Sequence, residues 1–232
     1  MSWHLAIETS QGTGGLAVRG SDGVVYTASL SSRSGIDDQL MPSLAALTKE
    51  AGCRPQDLSL VGVSIGPGGF TGLRIAVATA KMLGEVTGCT LIAVETALAC
   101  ARAHGGSGPL AVALASKRGD TWLSLVDGLR VVRAELVDQS GAEALLSGCR
   151  HLLADEHLPG PITSVAEALA IPMSPPVFQP EATLEVAEAL AGQGEGVHAM
   201  DLSPLYPRAP EAVTLFEERS KAAQGQQDAT KG

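Results

Sequence analysis

Gly66-Pro67-Gly68-Gly69-Phe70-Thr71-Gly72-Leu73-Arg74 is the stretch on which the reading of this 232-residue chain turns. The apolar run Leu60-Val61-Gly62-Val63-Ser64-Ile65 leads into it and reads as a buried strand. The glycines and the proline then make a tight turn. Thr71 is placed to cap a helix that runs on to Gly88. Along that helix Gly72, Ala76, Ala80 and Gly84 recur at i+4, so one face carries almost no side chain. A bare face lets another backbone approach closely. That backbone belongs either to the protein's own sheet or to a partner, and the sequence favours the partner.

Upstream, Leu5-Ala6-Ile7 is a short strand ending in Glu8, Leu16-Ala17-Val18 returns as a second, and Ser21-Asp22-Gly23 turns into a third, Val24 to Leu30. Ile36, Leu40, Leu44 and Leu47 then keep helical spacing as far as Ala51, and Gly52 stops the helix. Downstream, Thr90 to Val94 is a strand and Glu95 to His104 a helix, followed by the linker Gly105-Gly106-Ser107-Gly108-Pro109.

After the linker the pattern repeats. A shift of 105 residues places Leu5-Ala6-Ile7 on Leu110-Ala111-Val112, Gly14 on Gly119, Val18 on Leu123, and Asp22-Gly23 on Asp127-Gly128. A constant offset across three strands and two turns argues for duplication of a β-β-β-α-β-α unit. The expectation is an α/β protein of two similar domains, 1–104 and 105–216, each a mixed five-stranded sheet with helices. The second half is less regular: a short helix from Gln139 to Leu146, a strand near Arg150 to Ala154, prolines from Pro159 to Pro180, and a helix from Thr183 to Ala191. The polar stretch 217–232 reads as a disordered tail.

Sixteen Lys and Arg stand against 25 Asp and Glu, a net charge of -9, which disfavours direct nucleic-acid binding by this chain alone. Apolar residues make up 45% but aromatics only 3%, so the core must be built from Ala, Val, Leu and Ile. Cys53, Cys89, Cys100 and Cys149 have no CxxC spacing and read as free, buried thiols of a reducing compartment. No basic leader and no apolar run of membrane length occurs, so a cytoplasmic location is expected.

The glycine stretch fails as a nucleotide motif. No Lys follows it as in a Walker loop, and Thr71 stands where a dinucleotide fingerprint needs its third glycine. A phosphate on the backbone amides at the helix start remains physically allowed. His4, His104, His151, His157 and His198 are scattered without an i+4 pair, which argues against a metal site. No Gly-x-Ser-x-Gly elbow is present. Glu8, at a strand end where clefts form in α/β proteins, is the best single carboxylate for chemistry, against the plainer reading of a solvated strand end.

At this point several motifs carry a resemblance. Leu5-Ala6-Ile7-Glu8-Thr9-Ser10 looks like the opening strand of the ASKHA superfamily (actin, Hsp70, sugar kinases), whose domains are RNase H-like. Gly66 to Ile75, with Ala78-Thr79-Ala80-Lys81, resembles the signature of the bacterial TsaB family. Leu40-Met41-Pro42, Lys117-Arg118-Gly119-Asp120-Thr121-Trp122 and Pro204-Leu205-Tyr206-Pro207-Arg208 resemble that family's further motifs, so the likeness spans residues 5 to about 210. Departures are Glu8 for the usual Asp, Gly69 for Ser, Ile36 near a frequent His, and Ala115 for Asp.

The resemblance implies a non-catalytic subunit of the machinery that adds threonylcarbamoyl to the adenosine beside the tRNA anticodon. It implies a TsaD-type catalytic partner, a TsaE-type ATPase in the same complex, contact with tRNA only through the complex, a possible homodimer, and no cofactor or membrane. TsaD binds metal through a His-x-x-x-His helix, which this sequence lacks. The expected interface is Gly72, Leu73, Ile75, Ala76, Ala80 and Gly84, with Glu8, Gly68 and Gly69 as a vestigial cleft. The alternative is an active nucleotide-binding phosphotransferase or ATPase of the same fold, working through Glu8.

Overall fold

The computed structural model describes residues 2–31, 35–106, 108–117 and 119–208, with backbone only for Asp37 and Lys117. The tail expected at 217–232 lies outside the described residues. The chain begins with the antiparallel strands β1 (Trp3–Glu8), β2 (Thr13–Arg19) and β3 (Val25–Ser31), then helix α1 (Ile36–Ala51). Strand β4 (Leu58–Gly66) leads through the glycine turn into α2 (Phe70–Thr87), and β5 (Thr90–Glu95) into α3 (Thr96–His104). The second half follows the same plan: β6 (Leu110–Lys117), β7 (Asp120–Asp127), β8 (Arg130–Val137), α4 (Gln139–Leu146), β9 (His151–Leu153), α5 (Gly160–Ala168), β10 (Met173–Ser174) and α6 (Pro180–Gly192).

The duplication is visible in the sheets. One has the order β3-β2-β1-β4-β5 and the other β10-β9-β6-β7-β8, which is the same arrangement read from the opposite edge. In each, the first three strands pair antiparallel and the fourth runs parallel beside the first. Two elements escaped sequence analysis. Helix α5 lies between prolines that read as interruptions, although Pro161 falls in its first turn, where a missing N–H costs nothing. Strand β10 has only two residues, too few to show a period. Thr71 does not cap α2: Gly69 is the N-cap, without a side-chain hydrogen bond, and Thr71 lies in the first turn.

One face of the first sheet packs on α1 and α2. Leu5, Ile7, Leu16, Val18, Val61 and Val63 meet Leu40, Leu44, Leu47, Ala76, Val77, Ala80 and Leu83 there. The second sheet is backed likewise by α4 and α5. The remaining faces point at each other and are filled by α3 and α6. Here the chain crosses over: α6, from the second half, lies on β1, β2, β4 and β5 of the first sheet, while α3 contacts β6, β7 and β8 of the second.

The crossing helix comes very close. Ala6 and Ala17 pack on Leu184, and a Cβ added at Gly62 would sit 2.3 Å from the Cβ of Ala187. The sheet face is therefore bare where α6 lies, and contact is made at a distance that longer side chains forbid. Gly62→Ala is expected to cost about 1–3 kcal/mol of stability, the usual range for forcing atoms into a filled core. Urea unfolding measures it, and Ala187→Gly in the same chain should restore part of the loss because the two positions touch. Independent, additive effects of the two changes would show that this approach does not limit the packing.

Candidate functional site

Glu8 ends β1 on the face that α6 covers, and it is fully buried. The Ser10 backbone N–H donates to its Oε1 at 2.8 Å, and the Thr183 hydroxyl, from α6, donates to its Oε2 at 3.1 Å. Ser64 on β4 lies in the same cluster and shares a 2.9 Å hydrogen bond with Thr96, at the start of α3. Loss of hydration pushes the Glu8 carboxyl upward, and the hydrogen bonds from Ser10, Ser64 and Thr183 oppose this only in part. Burial, and secondarily Glu8, also push the Cys100 thiol up, so that sulfur stays protonated and inert. The expectation of a cleft carboxylate is thus corrected. Glu8 is sealed by α6, which the strand-end rule applied to the first half alone could not anticipate.

The glycine turn is likewise packed on its own chain. The Gly69 N–H donates to the Ser10 carbonyl at 2.6 Å. A Cβ at Gly68 would stand 2.0 Å from that same oxygen, and one at Gly72 2.3 Å from the Thr9 carbonyl. The Thr9 hydroxyl returns a 2.9 Å hydrogen bond to the Gly72 carbonyl. These glycines let the start of α2 lie directly against the end of β1. Gly69 itself is exposed, but its amide is spent on Ser10 rather than turned to a ligand.

The bare stripe of α2 also faces inward. Leu73, Ala76 and Ala80 have no exposed surface, Gly72 is buried, and Ile75 is half-buried. Gly84 makes room for the side chain of Leu91, whose nearest atom would be 2.8 Å from an added Cβ. The small residues serve the helix–sheet contact, and the interface expected at Gly72, Leu73, Ala76 and Ala80 is corrected to core. The physical reason is that a helix lying over a β1–β4 pair needs the same absence of side chain as a helix docking on a helix.

The opposite face of α2 was overlooked. Phe70 is 50% exposed, Met82 47% and Val86 75%, with Ala78 exposed between them and Met41 of α1 47% exposed. These positions of α2 also recur at i+4, so the signal was in the sequence, but periodicity alone does not say which of two apolar stripes meets water. Among the histidines, the fold stacks His104 on His151 with ring centroids 4.4 Å apart, and His151 hydrogen-bonds Ser174 at 2.7 Å. Among the described residues no group of three or more His, Cys, Asp or Glu is placed to hold a metal. Nor is any described helix long and apolar enough to cross a membrane.

Fold and site together define a duplicated α/β protein of two five-stranded mixed sheets whose first-strand carboxyl is enclosed rather than presented. The family model for tRNA N6-adenosine threonylcarbamoyltransferase (TsaD) matches residues 34–199. The tRNA threonylcarbamoyladenosine biosynthesis protein TsaB of Bacillus subtilis (strain 168) is 40% identical over 81 residues, which cover 34% of this chain and 34% of that protein. An uncharacterized protein of Mycobacterium tuberculosis (strain ATCC 25618 / H37Rv) is 30% identical over 184 residues, 77% of each chain. The YeaZ structure from Pseudomonas aeruginosa superposes with a TM-score of 0.68 at 18% identity, over 89% of this chain and all of that one. A second Pseudomonas aeruginosa structure, an uncharacterized protein with similarity to YeaZ, gives 0.72 at 19% over 90% and 100%. The chain belongs to the tRNA N6-adenosine threonylcarbamoyltransferase (TsaD) family, whose model matches residues 34–199.

The burial of Glu8 has a measurable sign. A carboxyl whose folded pKa is raised stabilises the protein fully below its unfolded pKa, and this contribution is lost as pH rises through the folded pKa. Glu8→Gln keeps a polar group for Ser10 and Thr183 without that ionisation. The melting temperature of Glu8→Gln minus that of the parent is therefore expected to grow as pH rises from the ordinary carboxylate range towards neutrality. A constant difference across that range would mean that Glu8 ionises without penalty.

Proposed function

We propose that this protein is a non-catalytic subunit that docks on a TsaD-type catalytic partner, in the complex that adds threonylcarbamoyl to the adenosine next to the tRNA anticodon. The observation that carries this reading is the row of exposed apolar side chains Phe70, Ala78, Met82 and Val86 on α2, with Met41 of α1 likewise exposed. Apolar side chains left exposed on a rigid helix, here with Arg74 stacked on Phe70 at its start, are costly to leave in water and fit a partner helix. The enclosed Glu8 supports the other half of the proposal, since the best carboxylate for chemistry is already spent inside the fold. The net charge of -9 leaves tRNA contact to the partner. A TsaE-type ATPase in the same assembly, a cytoplasmic location and the division at residues 104 and 105 belong to the same reading. A homodimer through the same row would compete with the heterodimer.

Light scattering of the purified chain mixed with TsaD tests the docking. Association at micromolar concentration is expected. Met82→Asp or Val86→Asp should weaken it at least about tenfold, as for truncation of an interface anchor, while the melting temperature hardly moves because both side chains are exposed. Association untouched by either change would move the interface off α2. The rival reading, an active phosphotransferase, predicts a heat of binding with ATP and magnesium for the isolated chain that Glu8→Ala abolishes. The scaffold reading predicts none.

A further inference from the structure

The closing Ser203–Arg208 touches two regions far from it in the chain, the end of β4 with the first turn of α2, and the strands β6 and β7 at Ala115 and Asp120. Leu202 is buried in the core between the first sheet and α1–α2, which anchors the segment on the first half. The Leu205 N–H then donates to the Ile65 carbonyl at 2.7 Å, at the end of β4. The Tyr206 ring lies 5.4 Å from Phe70, and its hydroxyl accepts from Arg74 Nε at 3.0 Å. The Arg74 guanidinium stands 3.6 Å above the centre of the Phe70 ring. Two residues further on, Arg208 donates to the Ala115 carbonyl and to the Asp120 carboxylate, both in the second half.

The receiving end is shaped for this contact. The β6–β7 register shifts between Leu114 and Lys117, and Ala115 takes a positive φ of 54°, a conformation that residues other than glycine adopt only when their surroundings impose it. The Thr121 hydroxyl bonds the Leu114 carbonyl at 3.1 Å and shares a 2.8 Å bond with Ser116, which fixes the bulge. The Ala115 carbonyl, out of the ladder, takes one arm of the Arg208 fork while Asp120 takes the other. A planar guanidinium can serve two acceptors at once in this way, whereas an ammonium cannot hold both in fixed directions.

The position of the contact matters. The covalent linker enters β6 at Leu110, and Ala115 lies five residues along that strand, about 16 Å at the rise of an extended chain. We propose that Ser203–Arg208 is a strap that holds the two sheets together at the end remote from the linker. The halves, already packed together through α3 and α6, are then also tied by Arg208 at the end of β6 opposite the covalent linker. Release of Arg208 frees the strap, so the loss is felt at its other anchor, on Ile65 and the first turn of α2, which Arg208 does not touch.

Hydrogen exchange on the full chain tests this. In Arg208→Ala, exchange at the Leu205 and Gly69 amides and across residues 114–121 should rise at least tenfold, with β1, β2 and β7 as protected as in the parent. Arg208→Lys, which keeps the charge beside Asp120 but not the fork, should fall between the two. Faster exchange confined to 114–121 would overturn the strap and leave Arg208 a local cap of its turn. A uniform rise through both sheets would overturn it as well, by making Arg208 a residue of the common core.

Discussion

The close approach of α6 to the first sheet is the constraint on which the rest of this structure depends. With Gly62 meeting the Cβ of Ala187, and with Ala6 and Ala17 under Leu184, there is no side-chain layer to adjust. Backbones in such contact must keep their register, because a one-residue slip brings a larger side chain into the gap. The contact also joins the halves. Helix α6 leaves the second half to cover the first sheet, and α3 leaves the first half to contact the second. Neither sheet has both faces covered by its own segment, so the duplicated units fold as mutual complements.

The same approach decides the chemistry. When α6 settles, Thr183 arrives on Glu8 and water leaves. A strand-end carboxyl that could have faced a cleft becomes part of a buried hydrogen-bonded cluster with Ser10, Ser64 and Thr96. Its penalty is the loss of hydration, and three donors reduce that penalty without cancelling it. An acid group held in this manner joins β1, β4 and α6 through its hydrogen bonds and is closed off from solvent. On the surface, the outer face of α2 carries the exposed Phe70, Met82 and Val86.

The two faces of α2 show how far residue patterns reach. Gly72, Ala76, Ala80 and Gly84 announce that some backbone must come near, and one does, but it is the protein's own. Phe70, Met82 and Val86 keep the same spacing and point to water. Either stripe alone satisfies the period of a helix, and only the position of the sheet says which is inside. The closing motif behaves similarly. Pro204 to Arg208 stands out in the sequence only as a motif, yet Tyr206 reaches Arg74 and Arg208 reaches Ala115, contacts across more than ninety residues of chain.

The sequence by itself determined the main elements, α5 and β10 apart, and their repetition. Strand alternation, helical periodicity, glycine stops and the 105-residue offset all follow from local sterics and burial, and they suffice for two mixed sheets of one plan. The motif residues also pointed to the machinery of the wider family whose model matches residues 34–199. The tertiary structure alone decided where each unit's last helix goes, and with it the fate of Glu8, the inward turn of the small-residue stripe and the partner of Arg208. The physical reason is that these depend on contacts between segments distant in the chain. A helix covered on both sides has the same period whichever sheet covers it, and a carboxyl carries no mark of the helix that will enclose it.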